Sequence, residues 1–206
     1  MYLSDRDLEF AVKTGQLIVD PVPTEFDTTS IDLHLDNVNE AKVWNVEEFK
    51  KKQAEAGNDP WLRVSKYKFR IFSREFYQNV PEDPSPSNKV HKNGDRIILR
   101  PGGFLLWQTR ESVGTPETDP RLICFINGKS SSARSGLLVH MTAPTIHAGW
   151  WGQITLEIAN LGPFDLCLAA GDAISQIVVA TISSPPTKRK KEGIAIGQRA
   201  VSGNAV

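Results

Sequence analysis

The chain has 206 residues, with 24 Lys plus Arg balanced by 24 Asp plus Glu, which suits one domain with a sizeable core and excludes a global basic field that would recruit nucleic acid or an anionic membrane. Cys124 and Cys167 sit in apolar, strand-like runs, so they read as small buried hydrophobes in a reducing compartment rather than as a disulfide framework. No apolar run is long enough to span a bilayer and the N-terminus carries no signal-peptide pattern, so a cytoplasmic protein is expected.

Ser4, followed by Asp5 and Asp7, predicts a capped helix that runs to about Thr14 and is stopped by Gly15. Beyond it the punctuation is that of a β protein. Short runs rich in Val, Ile, Leu, Phe and Thr recur between Gly and Pro signals at 30–35, 67–72, 95–99, 103–109, 121–126, 137–142, 153–159, 164–168 and 173–182. A short surface helix is expected over 45–56, and a Pro- and Ser-containing loop over 80–93. From Ser183, with Pro185, Pro186 and the basic cluster Lys188 to Lys191, the packed pattern ends; residues 183–206 read as a mobile tail and the cluster as a solvated stretch. The expected fold is all-β, mainly β with short helices, in a sandwich or jelly-roll barrel.

Two stretches carry chemistry. NGKSSSARSGLLVH, residues 127–140, places Lys129, Ser130, Ser131, Ser132 and Arg134 within six residues, a concentration of cations and hydroxyls suited to a polyphosphate. It is not a nucleotide-binding P-loop, because the glycine that motif needs five positions before Gly128 is Ile123. GWWGQITLE, residues 149–157, then alternates Gln153, Thr155 and Glu157 on one strand face with Ile154, Leu156 and Ile158 on the other. Glu157, a lone acid in such a strand, is a candidate general base. The H-x-E and P-C-x-x-C pair of a zinc deaminase does not occur, and no metal-ligand set is expected.

The run GKSSSARSGLLVHMTA followed by IHAGWWGQITLEIAN resembles the signature region of the dCTP deaminase and trimeric dUTPase superfamily. MYLSDRDLEFAVKTGQLIVDP, TTSIDLHL and LRPGGFLLWQTRESVGTP extend the likeness over most of residues 1–182, with an apparent insertion between about 40 and 93. The resemblance implies a distorted jelly-roll of the dUTPase-like, β-clip type, assembled as a homotrimer with sites between subunits. It implies that Glu157 takes a proton from the water that attacks cytosine C4, with Ser130 and Arg134 beside it. By the same match, Lys129 to Arg134, Ala133 included, hold the triphosphate, backbone groups at Thr155 and Leu156 meet the cytosine edge, and Mg²⁺ accompanies the phosphates.

The chain departs from the family's pattern at three places. His147 stands where the family keeps an aspartate that contacts the sugar, and Thr145 where deaminases that release dUTP place an arginine. In the tail, Gln198 matches the family's glutamine, the lysine position is Ile194, and the tyrosine position falls near Thr187. Three readings follow: a dCTP deaminase releasing dUTP, a dUTPase or bifunctional enzyme, and a non-catalytic nucleotide-binding regulatory trimer.

Overall fold

The structure, a computed structural model, describes residues 1–55, 75–187 and 197–201. Helix α1, Asp5–Lys13, forms where the sequence predicts it, with Leu8 and Ala11 buried. Ser4 does not cap it by accepting a backbone N–H. Its hydroxyl donates to Asp7 Oδ2 at 3.2 Å, and the first turn is favoured instead by the acids Asp5 and Asp7 at the positive end of the helix. The expected surface helix is α2, Val46–Glu55.

The strands are β1 (Ile18–Asp20), β2 (Ile31–His34), β3 (Lys42–Trp44), β4 (Tyr77–Asn79), β5 (Val90–Asn93), β6 (Arg96–Leu99), β7 (Phe104–Gly114), β8 (Leu122–Gly128), β9 (Leu137–Leu138), β10 (Thr145–Ile146), β11 (Trp151–Asn160), β12 (Leu166–Ala169) and β13 (Ala173–Thr181). A five-residue helix, α3 (Ser130–Arg134), lies between β8 and β9. Three sheets result: β4-β3-β7-β11-β9 with β1 also on β7, then β10-β8-β13-β2, then β12-β6-β5.

Alternation along the long strands builds the core. Leu105, Trp107, Leu156 and Ile158 point inward from β7 and β11, in one cluster with Ile31, Leu33, Cys124, Ile177 and Val179 of the four-stranded sheet. Full burial of each such side chain contributes about 1.5–3 kcal/mol. The buried Trp107 indole keeps its donor satisfied, bonding to the Asn37 carbonyl at 3.1 Å.

The all-β expectation holds in its coarse form, mainly strand with short helices. Hydrogen bonding does not close a barrel among the described residues. Between the two larger sheets, backbone pairing among the described residues is limited to the bridge Leu35 to Thr109 and the bond from Asp36 N to Gln108 O at 3.0 Å, after which the chain enters the 3₁₀ turn Val38–Glu40. Residues 137–142 are strand only at Leu137–Leu138, and 80–93 ends in β5 rather than remaining loop. Cys124 is buried as expected, its thiol pushed up to about 12 by burial; Cys167 is exposed, since the pleat of β12 turns Leu168 inward and Cys167 outward. The strand expected at 67–72, Ile194 and the cluster Lys188 to Lys191 lie outside the described residues. No described helix is long and apolar enough to cross a membrane.

Of the tail, the described residues 197–201 are docked rather than loose. Gln198 bridges Gly152 of β11 in parallel, Gln153 N donates to Gln198 O at 2.8 Å, and Val201 is buried. Gly152 permits this approach: its φ is +156°, and a Cβ there would lie 2.7 Å from Gln198 N.

Candidate active site

Strand β11 pairs with β7 along one edge, Leu156 opposite Trp107 and Glu157 opposite Leu106. Among the described residues, its other edge is occupied at the ends, by Gln198 near Gly152 and Gln153 and by β9 at Ala159 and Asn160. Among the described residues, 154–158 has no ladder partner on that edge. Backbone donors and acceptors directed there are open to a ligand or to another chain.

A cleft of about 410 Å³ opens beside this strand, lined by Glu157, Thr155, Gln153, His147, Thr145, His140, Trp150, Tyr77, Trp44 and Gln198 among others. Glu157 is half-buried at its floor. His140 Nδ1 lies 2.9 Å from Glu157 Oε2, a close ion-pair approach whose alignment falls outside hydrogen-bond geometry. The Met141 amide approaches the same oxygen at 3.5 Å. Burial pushes the Glu157 carboxyl up, but His140 and the Met141 amide together outweigh it and hold the group below its ordinary range. The contact with Glu157 in turn holds His140 above its ordinary value despite its burial. Tyr77 responds to the same charge: burial first, then Glu157, raises its phenol, so it stays protonated at working pH.

Burial alone would raise the pKa of a general base, but at Glu157 its effect is reversed chiefly by His140. His140 was visible only as one residue of the matched run. Other polar groups were missed because their partners are distant in sequence. Asp36 Oδ2 accepts from Gln108 Nε2 at 2.8 Å and Gln153 Nε2 at 2.9 Å, tying β11 to the turn after β2. Buried Glu111 accepts from His34 N at 2.8 Å and from Arg110 Nη2 at 2.8 Å.

The candidate residues separate into two groups. Glu157, Thr155, His147, Thr145 and Gln198 meet at the cleft, with Gln198 Nε2 donating to Thr155 Oγ1 at 2.9 Å. The Leu156 side chain belongs to the core, which leaves only its backbone for recognition. Lys129, Ser130, Ser131, Ser132, Ala133 and Arg134 are not part of the cleft lining. They form α3 and its N-cap rather than an open Ser-rich turn: Ala133 N bonds Lys129 O at 3.0 Å, and Gly136, at φ +89°, ends the helix where a Cβ would meet Gly162 N at 2.3 Å. No residue of α3 is buried, and the side chains of Ser130, Ser131 and Arg134 have no hydrogen-bond or ion-pair partner among the described residues. Lys129 is ion-paired with Asp32 of β2. Among the described residues, no three His, Cys, Asp or Glu side chains gather as a metal-holding group.

The family model described as dCTP deaminase-like matches residues 2–182. The chain belongs to the dCTP deaminase-like family. It is 32% identical over 190 residues, 90% of this chain and 80% of the other, to the dUMP-forming dCTP deaminase of Thermobifida fusca (strain YX). It is likewise 32% identical over 187 residues, 90% of this chain and 85% of the other, to the dCTP deaminase of Idiomarina loihiensis. In fold it is similar to the crystal structure of 2'-deoxycytidine 5'-triphosphate deaminase from Agrobacterium tumefaciens, at TM-score 0.55 and 19% identity over 86% of this chain; the chain spans 47% of that protein's length.

Proposed function

We propose that the protein deaminates dCTP by water attack at cytosine C4, releasing ammonia and leaving dUTP. The observation that carries this reading is the position of Glu157: a half-buried carboxylate at the floor of the cleft, on a strand whose central edge is unpaired, inside the segment that matches the family. Ionised beside His140, it is in the state needed to take a proton from water as that water bonds to C4. That proton then passes to the departing amino group and the water's second proton ends on N3, so that ammonia leaves and the C4 carbonyl of uracil forms. Backbone groups at Thr155 and Leu156 meet the edge of the base, Thr155 and Gln198 line its surroundings, and His147 lies toward the sugar.

The substrate is the Mg²⁺ complex of the nucleotide, with the ion held by phosphate oxygens and water. Lys129, Ser130, Ser131 and Arg134 supply the charge and donors that a triphosphate and a developing negative charge at C4 require. Because these side chains are exposed on α3 and do not line the cleft of their own chain, the complete site is formed with a neighbouring copy, in a cytoplasmic homotrimer of β-clip subunits. The test is incubation with dCTP, dUTP and their ribo and methylated analogues in Mg²⁺, with chromatography of the products. Conversion of dCTP with release of ammonia supports the reading; unchanged dCTP rejects it.

A second reading is formation of dUMP, favoured by the name of the Thermobifida fusca relative. His147 argues against it, since an imidazole is not a permanently anionic acceptor. The same chromatogram separates dUTP from dUMP.

A further inference from the structure

Trp44 and Tyr77, which lie in the part of the chain where the family resemblance is interrupted, contribute to the lining of the cleft. Three residues lie in a row across the sheet: Glu157 pairs with Leu106, and Leu106 pairs with Lys42 of β3. Side chains two positions apart on a strand share a face, so Trp44 stands on the same face as Lys42, Leu106 and Glu157. Trp44 pairs across strands with Tyr77 of β4, and their rings lie 4.4 Å apart between centroids, tilted by 55°. Both rings line the cleft with Glu157 and Thr155, and both are half-buried. This face is separate from the one that packs the core through Leu105, Trp107 and Leu156.

We infer that the Trp44–Tyr77 pair is a specificity-determining subsite that receives the flat face of the pyrimidine ring while the edge of β11 takes its polar rim. This deepens the deaminase reading and rests on it. The chemistry is direct: a planar heterocycle has a face that hydrogen bonds to β11 cannot hold, and two aromatic side chains are placed beside the carboxylate that must reach C4. Such stacking depends on the ring and not on the phosphates. Tyr77 adds an uncharged phenol near Glu157, which suits a neutral base.

The test is equilibrium binding by calorimetry in the Glu157→Gln background, comparing dCTP with inorganic tripolyphosphate, for Trp44→Ala, Trp44→Leu and Trp44→Phe. Stacking predicts that Trp44→Ala weakens dCTP binding roughly ten- to hundredfold. Trp44→Leu, apolar but without a ring, should lose nearly as much, Trp44→Phe should recover part of it, and tripolyphosphate binding should not change. In the otherwise native enzyme the loss should appear in KM more than in kcat. The inference is overturned if Leu and Phe behave alike, if tripolyphosphate and dCTP weaken together, if the Trp44 variants lose their oligomeric state, or if dCTP does not bind. A protein that binds dCTP with this ring dependence and yet releases no ammonia would sink the deaminase reading and leave the subsite standing.

Discussion

The cleft beside β11 and the cradle on α3 are built in opposite ways from the same stretch of sequence. Glu157 is set in a rigid strand and has its partners, His140 and Met141, within its own chain. Ser130, Ser131 and Arg134 sit on five residues of exposed helix, and their side chains have no hydrogen-bond or ion-pair partner among the described residues. The first arrangement fixes a charge; the second leaves donors whose hydrogen bonds remain to be made. That difference is the basis of the proposal that the site is shared between copies.

That contrast predicts different failures. The largest effect belongs to the cleft: Glu157→Gln should lower kcat by roughly two to four orders of magnitude with fold and nucleotide binding retained, as steady-state kinetics and calorimetry would show. Near-native turnover would remove Glu157 from the mechanism. Arg134→Ala should follow, with a loss of about a hundredfold or more in kcat/KM if it stabilises developing charge. Because Arg134 is exposed and has no ion-pair partner among the described residues, its removal should change unfolding free energy by no more than about 0.5 kcal/mol. A large loss of stability would mean that the cradle is structural after all.

Lys129→Ala should act mainly on KM, weakening the nucleotide by about 1–3 kcal/mol, and less if its ion pair with Asp32 persists in the complex. His140→Asn should produce the smallest and most diagnostic change. Removing the imidazolium takes away what holds Glu157 down, so the acid limb of the kcat/KM profile should move to higher pH. Stability should follow the same linkage. Glu157, held below its reference of 4.5, contributes above that pH and loses the contribution as pH falls through its lowered value; His140, held above 6.5, contributes fully below that pH and loses it as pH rises through its raised value. The native protein should therefore gain most from the pair between those reference values, and His140→Asn should flatten that part of a chemical-denaturation series.

The sequence made local periodicity legible. The alternation of β11, the helix ended by Gly15 and the core positions Leu156 and Ile158 all follow from residues near one another in the chain. What it could not show depends on distant partners. His140 becomes important only because the chain leaves β9 after Leu138 and returns to Glu157, and Trp44 meets Tyr77 only through the pairing of β3 with β4. The docked tail was illegible for a similar reason: residues 197–201 have no strong strand pattern, and their place depends on Gly152 admitting a second backbone. The cradle was recognised as a set of donors, but its residue types gave no reason to expect that it would not line the cleft of its own chain.

The most direct measurement is subunit complementation. Glu157→Gln and Arg134→Ala proteins, each nearly inactive alone, would be unfolded and refolded together, then assayed for ammonia release from dCTP. If each site takes Glu157 from one copy and Arg134 from another, random mixing in equal amounts should restore about a quarter of the sites to native composition, and activity should rise far above that of either parent. If both residues act within one chain, mixing restores nothing, and the account of a site divided between copies is wrong.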